Sequence, residues 1–389
     1  MKAGFAALGE VSEFIRGITF TPNDVEEVAS ATTVGVMRTK NVQEQLDLND
    51  VWQIDRKFVK NKNQYLEEGD LLVSSANSWN LVGKASWIPL LNYESSFGGF
   101  VTVLRGNKKL IDRRYLYYWF VSDRIQSLLR SFSNKTTNIS NLSLSRAKQL
   151  TIPLPPLAEQ QRIAALLDTA DRILKLRESA IAKLDQLAQS LFFQIDETAS
   201  KHYKLSDISE IVSGATPKSE IKDYWNGDVH WATPAELGKL NDIFINQTVR
   251  RITNEGLASC AATLLPINSI LFSSRAPIGH IAINTVPMAT NQGFKSFIVD
   301  KQLIEPLYLY YWLSQNKLLL QSMGVGATFK ELSKSIISAV KIKLPSIDEQ
   351  KKFANTIGVI RNLKIKNLNA IEEIKNLLTS LQHQSFAVN

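Results

Sequence analysis

The side chains best suited to chemistry in this sequence are cations, amides and hydroxyls that stand beside aromatic residues in polar stretches. In the first half these candidates are Arg38, Lys40, Lys57, Lys60, Lys62, Ser74, Ser75, Asn77 and Trp79. In the second half they are Lys218, Trp225, Ser273, Ser274, Arg275, Asn291 and Gln292. Lysine and arginine hold phosphate groups, whereas arginine, asparagine, glutamine and serine hydrogen-bond to base edges. The pattern therefore favours nucleic-acid binding, with an ordinary solvated surface and polar turns as the alternative.

Motifs for cofactor and metal chemistry are missing from the sequence. There is no G-x-x-x-x-G-K-[ST] phosphate loop, no glycine-rich dinucleotide or S-adenosylmethionine loop, and no [NDS]-P-P-[YF] segment for a flipped base. The string Glu349-Gln-Lys351 matches half of a nuclease pattern, but a glutamate in the first turn of a helix is favoured by the helix dipole alone. The histidines and Cys260 lack metal-ligand spacing. We therefore predict no catalytic, cofactor-binding or metal site in this chain.

The composition is that of an ordinary globular protein. The chain has 389 residues, 44% hydrophobic and 21% charged, with one cysteine and neither a signal peptide nor an 18-residue apolar span. We therefore expect several domains in a reducing cytoplasm, with no membrane partner. The net charge of +8, shared equally by residues 1–195 and 196–389, suggests a polyanionic partner that both halves meet.

Two long amphipathic helices are predicted at equivalent places. After Pro156 the chain continues without Gly or Pro to Ile195, and a helix of this length would extend roughly 60 Å. Its a/d seam comprises Ile163, Leu166, Ala170, Ile173, Arg177, Ala180, Leu184, Leu187 and Leu191. A shift of 190 residues gives the second seam, which comprises Phe353, Thr356, Ile360, Leu363, Asn367, Ala370, Ile374, Leu377 and Leu381. Ser346 and Glu349 form a capping-box signature at the start of the second helix.

Shorter strings repeat in the same order. Tyr115-Leu-Tyr-Tyr-Trp119 recurs as Tyr308-Leu-Tyr-Tyr-Trp312, and Phe97-Gly-Gly-Phe100 is matched with Asn291-Gln-Gly-Phe294. Repeats of this kind indicate a tandem duplication in which each half is a globular domain followed by a long helix. The helical spacing of the tyrosines favours a core position over a platform for stacking.

The predicted domains are residues 1–150, a long helix in 151–200, residues 201–343, and a second long helix in 344–389. Short strands and helices that alternate with long polar loops predict a mixed α/β fold for both globular domains. Arg113–Arg130 and Pro306–Ser322 are each predicted as one amphipathic helix. Ser213–Pro217 and Trp225–Gly227 are predicted as turns.

This layout resembles the specificity subunit of type I restriction–modification systems. The resemblance rests on the two domains and on the long heptad helices that begin at L-P-P-L-A-E-Q-Q and L-P-S-I-D-E-Q-K. It also rests on Gly214-Ala-Thr-Pro217, Tyr224-Trp-Asn-Gly227, Trp231, Ser273-Ser-Arg275 with Gly279, and Thr290-Asn-Gln-Gly-Phe294. The first half departs from the family pattern, because it lacks the G-x-T-P and Y-W-x-G strings.

The resemblance implies a non-catalytic DNA-specificity subunit. Two α/β target recognition domains, separated by two long helices in an antiparallel coiled coil, would each bind half of a bipartite site in double-stranded DNA. Two methyltransferase subunits would supply S-adenosylmethionine, and two motor-nuclease subunits would use ATP and magnesium. The alternatives are a DNA methyltransferase or nuclease with its own activity, and a coiled-coil scaffold without DNA contact.

A tandem repeat on antiparallel helices has a pseudo-two-fold axis, so two copies of one partner would bind equivalent surfaces. We hypothesise that helix length sets the spacing between half-sites. We also hypothesise that Arg177 and Asn367 form a central polar layer that fixes helix register, with loose packing and solvated side chains as the alternative.

Overall fold

A computed structural model describes residues 4–135, 139–275, 277–326 and 330–387 of the chain. The chain forms two compact units, unit 1 (Met1–Arg177 and Asn369–Asn389) and unit 2 (Glu178–Leu368). Each unit therefore contains one globular domain together with the beginning of one long helix and the end of the other. The predicted boundaries after residues 150, 200 and 343 separate globular from helical segments instead, and they stay predictions.

Unit 1 is built from short strands and helices. Its strands are β1 (Gly4–Ala7), β2 (Ser12–Arg16), β3 (Val25–Glu26), β4 (Thr33–Met37), β5 (Trp52–Asp55), β6 (Leu71–Ser74), β7 (Ala76–Asn77), β8 (Ala85–Trp87), β9 (Ser95–Phe97), β10 (Val101–Gly106), β11 (Asn134–Lys135), β12 (Ser140–Asn141) and β13 (Thr151–Leu154). Its helices are α1 (Leu8–Val11), α2 (Arg113–Val121), α3 (Asp123–Ser131), α4 (Leu144–Ala147) and the first part of α5 (Leu157–Glu197).

Unit 2 repeats most of this order. Its strands are β14 (Lys201–Lys204), β15 (Ser209–Ser213), β16 (Trp225–Ala232), β17 (Phe244–Ile245), β18 (Arg251–Ile252), β19 (Ile270–Phe272), β20 (Ile281–Asn284), β21 (Met288–Thr290), β22 (Lys295–Val299) and β23 (Lys341–Leu344). Its helices are α6 (Leu205–Ile208), α7 (Pro234–Leu237), α8 (Asn254–Ala258), α9 (Pro306–Gln315), α10 (Lys317–Ser322), α11 (Lys334–Ala339) and the first part of α12 (Ile347–Phe386).

Equivalent sheets recur in the two units, which confirms the predicted mixed α/β repeat. The order β2-β10-β6-β8 in unit 1 corresponds to β15-β22-β19-β20-β17 in unit 2. A second sheet in each unit contains one parallel pair, β4 with β9 and β16 with β21. A small antiparallel pair, β1 with β13 and β14 with β23, joins the start of each globular domain to the strand before its long helix.

The aromatic repeat lies in the core, as predicted. Tyr115 and Tyr308 are fully buried at the start of α2 and α9. The Tyr115 hydroxyl donates to the carbonyl oxygen of Pro153 at 3.0 Å, and the Tyr308 hydroxyl donates to Asp196 Oδ1 at 2.6 Å. The predicted helices Arg113–Arg130 and Pro306–Ser322 are each interrupted, at Ser122 and Asn316, so each of them is two consecutive helices.

A buried glutamine explains the repeated E-Q string at the start of each long helix. Gln160 Oε1 accepts from the backbone N–H of Asp112 at 2.8 Å, and Gln350 Oε1 accepts from that of Glu305 at 3.0 Å. Asp112 and Glu305 are the residues that precede α2 and α9. Because a buried amide must satisfy its polar atoms internally, this position orients each long helix against its aromatic helix. The predicted capping box is also confirmed, since Ser346 N–H donates to Glu349 Oε2 at 2.9 Å.

The burial pattern corrects six of the eighteen predicted seam positions. Ile163, Ala170, Phe353 and Ile360 are buried, and Arg177, Ala180, Leu184, Leu191, Asn367, Ala370, Ile374 and Leu381 are half-buried. The six exposed positions are Leu166, Ile173, Leu187, Thr356, Leu363 and Leu377. In each case the next residue is buried or half-buried, namely Leu167, Leu174, Ala188, Ile357, Lys364 and Leu378. At most of these positions both adjacent residues are apolar, so spacing alone does not show which of the two is buried. The globular domain decides this, because it covers one side of the helix.

Two predicted turns also differ from the structure. Trp225–Gly227 opens strand β16 and forms an irregularity there, because both Trp225 and Val229 pair with Ile252. Asn226 takes a positive φ of 64° within it. Ser213 ends strand β15 and residues 214–218 form neither a turn nor a bend, so the predicted turn over Ser213–Pro217 is wrong. No helix among the described residues is both long enough and apolar enough to cross a membrane.

Candidate nucleic-acid interface

A three-residue turn after the parallel strand is the shared feature of both candidate surfaces. In unit 1 the turn is residues 98–100, and in unit 2 it is residues 291–293. Ser75 N–H donates to the carbonyl oxygen of Phe100 at 3.1 Å, and Ser274 N–H donates to that of Gly293 at 2.7 Å. Phe100 is therefore the equivalent of Gly293, which corrects by one residue the match of Phe100 with Phe294. The buried Val101 takes the place of Phe294.

A glycine lies directly behind each of these turns. A Cβ on Gly17 would overlap the carbonyl oxygen of Gly98, and one on Gly214 would overlap that of Asn291. The following residues make the same contact, because Ile18 N–H donates to Phe97 O and Ala215 N–H donates to Thr290 O. Gly17-Ile-Thr-Phe20 is thus the unit 1 equivalent of Gly214-Ala-Thr-Pro217, which was not recognised because only the glycine and threonine are shared.

Several predicted contact residues of unit 2 come together around residues 214–218. Trp225 is half-buried and its indole N–H donates to the carbonyl oxygen of Lys218 at 3.2 Å. Gln292 is exposed and its Oε1 accepts from the Thr216 hydroxyl. Asn291 Oδ1 accepts from the N–H of Gly293 at 2.9 Å and shapes the turn. Lys218, Trp225 and Gln292 therefore border one surface region, as a joint binding role requires.

Arg275 lies in the loop beside this turn. Its guanidinium is 3.9 Å from Glu331, which also approaches Lys295 Nζ at 3.4 Å. Ser274, the residue before it, bonds to Gly293 through both its backbone N–H and its hydroxyl. Arg275 is thus held near Gln292 and partly neutralised by Glu331.

Three serines predicted to contact a ligand are buried instead. The Ser273 hydroxyl donates to Pro277 O at 2.8 Å, and the Ser274 hydroxyl donates to Gly293 O at 3.1 Å. Ser74 is 1% exposed, and its hydroxyl accepts from Asn77 Nδ2 at 3.1 Å. These hydroxyls stabilise their loops, so the prediction that they bind base edges is corrected to a structural role.

In unit 1 most of the predicted cations are paired with acids. Arg38 Nη2 lies 2.9 Å from Asp50 Oδ1, and Lys40 Nζ lies 2.7 Å from Asp50 Oδ2. Hydrogen bonds from Lys40 and then Arg38 lower the pKa of Asp50, so the carboxylate stays charged. The Arg38 guanidinium also lies 3.6 Å from the centre of the Trp52 ring. The Arg38 guanidinium is therefore held by a carboxylate and by an aromatic ring of the same domain.

The second basic stretch of unit 1 is more accessible. Lys57 pairs with Asp55 at 3.2 Å, while Lys60 Nζ donates to the Lys57 carbonyl oxygen at 3.0 Å. Lys60 and Lys62 are exposed and form no ion pair within the part of the chain that the structure describes. They are the members of this stretch whose charge is available to a phosphate.

Aromatic side chains flank the unit 1 turn. Phe100 is 68% exposed at the position of Gly293, and Trp79 is 44% exposed in the loop after β7. Ser75 is half-buried, and Asn77 Oδ1 accepts from the N–H of Ser78 at 2.8 Å. Phe100 is absent from the predicted contacts, and the sequence match pairs it with Phe294, a buried residue one position out of register.

Comparison with known protein families gives a match for each half of the chain. A family model described as the type I restriction modification DNA specificity domain matches residues 4–186 and again residues 198–376. The chain belongs to this family. It therefore carries two copies of a DNA specificity domain, each containing one of the two glycine-backed turns.

Individual relatives agree with this assignment. The type I restriction enzyme MjaIX specificity subunit of Methanocaldococcus jannaschii is 38% identical over 170 residues, which are 42% of this chain and 39% of that protein. The MjaVIII specificity subunit of the same organism is 25% identical over 356 residues, 84% of this chain and 82% of the relative. A crystal structure of a type I restriction-modification system S subunit from M. genitalium has a TM-score of 0.63 at 14% identity, and the match covers 100% of this chain and 97% of that one.

Among the described residues, no group of three or more His, Cys, Asp and Glu side chains could hold a metal ion.

Sequence reasoning missed one exposed arginine of the second specificity domain, Arg250, whose guanidinium lies 3.8 Å from the centre of the Trp225 ring. The only sequence signal is the pair Arg250-Arg251 in a polar stretch, and it does not reveal a tryptophan 25 residues earlier.

Proposed function

We propose that this chain is the specificity subunit of a type I restriction–modification complex and that each unit binds one half of a bipartite DNA site. The observation that carries the proposal is a conserved backbone with different side chains. The turn after the parallel strand has the same hydrogen bonds in both units, yet it presents Gly-Gly-Phe in unit 1 and Asn-Gln-Gly in unit 2. The same backbone with two different sets of side chains suits two domains that recognise different base sequences.

The chemistry of the exposed groups supports DNA as the ligand. Lys60, Lys62 and Lys218 provide accessible charge for phosphates, and Gln292 provides an amide for a base edge. The net charge of +8 favours association with a polyanion. The contact assignments for these residues stay predictions until they are tested by substitution.

We further propose that the chain is non-catalytic and that its partners perform the chemistry. Two modification subunits would bring S-adenosylmethionine, and two motor-nuclease subunits would bring ATP and magnesium. Exposed apolar residues at equivalent helix positions support this, since Ile173 corresponds to Leu363 and Leu187 to Leu377. Two copies of one partner would bind such equivalent surfaces.

The decisive experiment is methylome sequencing of cells that express this chain with its modification subunit. We expect a split motif with a methylated adenine in each half. Replacing residues 201–343 by those of another specificity subunit should change one half of the motif and leave the other unchanged. Replacing residues 1–150 is the matched control and should change the opposite half.

Two results would contradict the proposal. A stable complex that methylates no motif would exclude sequence reading, and a domain replacement that changes both halves would exclude independent readers. The non-catalytic role is tested separately with the purified chain alone, S-adenosylmethionine and duplex DNA, where methyl transfer would show that the chain is itself an enzyme.

A further inference from the structure

The segment Thr248–Arg251 of unit 2, called the 248–251 loop below, is held by a dense set of hydrogen bonds. Thr248 N–H donates to His230 Nδ1 at 3.2 Å, and Val249 N–H donates to Glu236 Oε1 at 2.6 Å. The Arg250 carbonyl oxygen accepts from Trp231 N–H at 3.2 Å and from the Thr248 hydroxyl at 2.6 Å. The loop backbone is therefore fixed, although Val249 at its tip is 89% exposed.

Two tryptophans position the Arg250 side chain. Its guanidinium lies 3.8 Å from the centre of the Trp225 ring and 5.0 Å from that of Trp231. The two rings meet edge to face at 5.2 Å, and Trp231 is anchored by its indole N–H, which donates to Ala215 O at 3.0 Å. Stacking occupies the face of the guanidinium and leaves its in-plane N–H donors available.

Arg250 differs from the stacked arginine of unit 1. Arg38 donates to Asp50 and is committed to that carboxylate. Arg250 is exposed, and none of the arginine–carboxylate pairs among the described residues involves it. Its donors are thus oriented by aromatic rings but not satisfied by the protein.

Other candidate contact residues lie beside this arginine. Trp225, which carries the stack, also bonds to the carbonyl oxygen of Lys218. Trp231 bonds to Ala215, the neighbour of Thr216, whose hydroxyl bonds to Gln292. Arg250, Lys218 and Gln292 therefore belong to one surface region of unit 2, with donors for both phosphates and base edges.

We propose that Arg250 reads a guanine in the half-site bound by unit 2. A planar guanidinium with two parallel N–H donors matches the O6 and N7 acceptors of guanine in the major groove, and no other base pair offers this pair of acceptors. A stacked and backbone-anchored arginine is pre-organised for this contact. The inference rests on the proposed function, because it assumes that unit 2 binds duplex DNA.

The test compares binding of the full chain with its modification subunits to a set of duplexes. The set contains the methylated motif and every single base-pair change in each half. We expect Arg250→Lys to reduce discrimination at one G·C pair of the unit 2 half on the order of 10- to 100-fold, because lysine lacks the planar guanidinium that lies over the Trp225 ring and presents two parallel N–H donors in a fixed geometry. Trp225→Leu removes the aromatic ring that lies against the guanidinium and should reduce discrimination at the same base pair.

Arg251→Lys is the matched control, because Arg251 is the exposed neighbour and its guanidinium does not lie over either tryptophan ring, so discrimination should not change. Weaker binding of Arg250→Lys that is equal for all duplexes would assign Arg250 to a phosphate and overturn the inference. A unit 2 half-site without a G·C pair would overturn it as well and leave the proposed function intact. A wild-type complex without any base preference would overturn both.

Discussion

At the residue scale, one glycine behind each turn shapes the two candidate surfaces. Gly17 and Gly214 allow the chain to pass directly behind a carbonyl oxygen of the turn, where any Cβ would overlap. Neither glycine needs a left-handed conformation, because the positive-φ glycines are found at other positions. The requirement is close approach between two backbones, which no local sequence pattern reveals.

We predict that Gly17→Ala destabilises unit 1 by about 3 kcal/mol, the upper end of the usual range for added core atoms, because the overlap involves backbone atoms that cannot rotate away. Hydrogen exchange of the β2 and β10 amides measures the effect within this unit. Gly99→Ala is the control, since its Cβ would lie 3.7 Å from the nearest atom, Ile18 O. Equal protection in both variants would mean that the turn moves freely and that the glycine is not required.

His230 supplies the second residue-level prediction. Burial, and to a smaller extent the charge of Arg251, lower its pKa below 6.5. Nδ1 accepts from Thr248 N–H, which requires the unprotonated nitrogen. As the pH falls below about 6.5 the unfolded state binds a proton that the folded state resists, so the stability of unit 2 should fall with pH until the folded pKa is passed.

The measurement is the pH dependence of unit 2 hydrogen exchange between pH 7.5 and 5, compared with His230→Asn. Asparagine keeps an acceptor near the position of Nδ1 but does not titrate, so its profile should be flatter. Burial also lowers the pKa of His280, which contributes equally to both proteins and cancels in the difference. Identical profiles would show that His230 titrates normally.

At the scale of elements, the buried face of each long helix is determined as much by the globular domains as by the other long helix. Leu167 is fully buried, whereas the predicted seam residue Leu166 is 42% exposed. Leu167 belongs to the same core as Tyr115 and Ile152. In unit 2, Ile357 likewise packs with Phe192 and Tyr308. At these equivalent positions each long helix therefore packs against the globular domain of its own unit.

We predict that Leu167→Ala costs about 2–5 kcal/mol of stability in unit 1, while Leu166→Ala costs less than about 1 kcal/mol. Ile357→Ala and Leu363→Ala form the corresponding pair in unit 2, with the loss again expected at the buried residue. Thermal unfolding of the four single variants measures the difference. Larger losses for Leu166 and Leu363 would restore the a/d seam that spacing alone suggested.

At the scale of the whole molecule, both long helices, α5 and α12, pass from one unit into the other. We expect their length to set the number of unread base pairs between half-sites. Deleting residues 174–180 and 364–370 removes one heptad from each helix and keeps the periodicity. It shortens each helix by roughly 10 Å, which corresponds to about three base pairs.

Methylome sequencing of the deletion variant should therefore give a shorter spacer with unchanged half-sites. Exchanging the two heptads between the helices, without a change in length, is the control and should preserve the spacer. An unchanged spacer after deletion would exclude the helices as the ruler. Arg177 and Asn367 lie in these heptads, and the hypothesis that they form a central polar layer that fixes helix register stays a prediction.

The sequence by itself determined the features that depend on local or periodic information. Prolines and unbroken heptads located both long helices, and the repeated Tyr-Leu-Tyr-Tyr-Trp string located both buried aromatic helices. The order of the repeats indicated the duplication, and the alternation of short strands and helices predicted the α/β class. Each of these signals is carried by residues close together in the chain, so it does not require knowledge of distant contacts.

The tertiary structure alone decided which of the candidate side chains are exposed. Ser74, Ser273 and Ser274 have suitable chemistry but are buried, and burial follows from strand pairing across many residues. Arg250 and Trp225 are 25 residues apart and meet because β16 and β18 are paired. The burial of Leu167 rather than Leu166 depends on the domain that covers the helix. These outcomes depend on contacts between distant segments, which residue type and spacing do not specify.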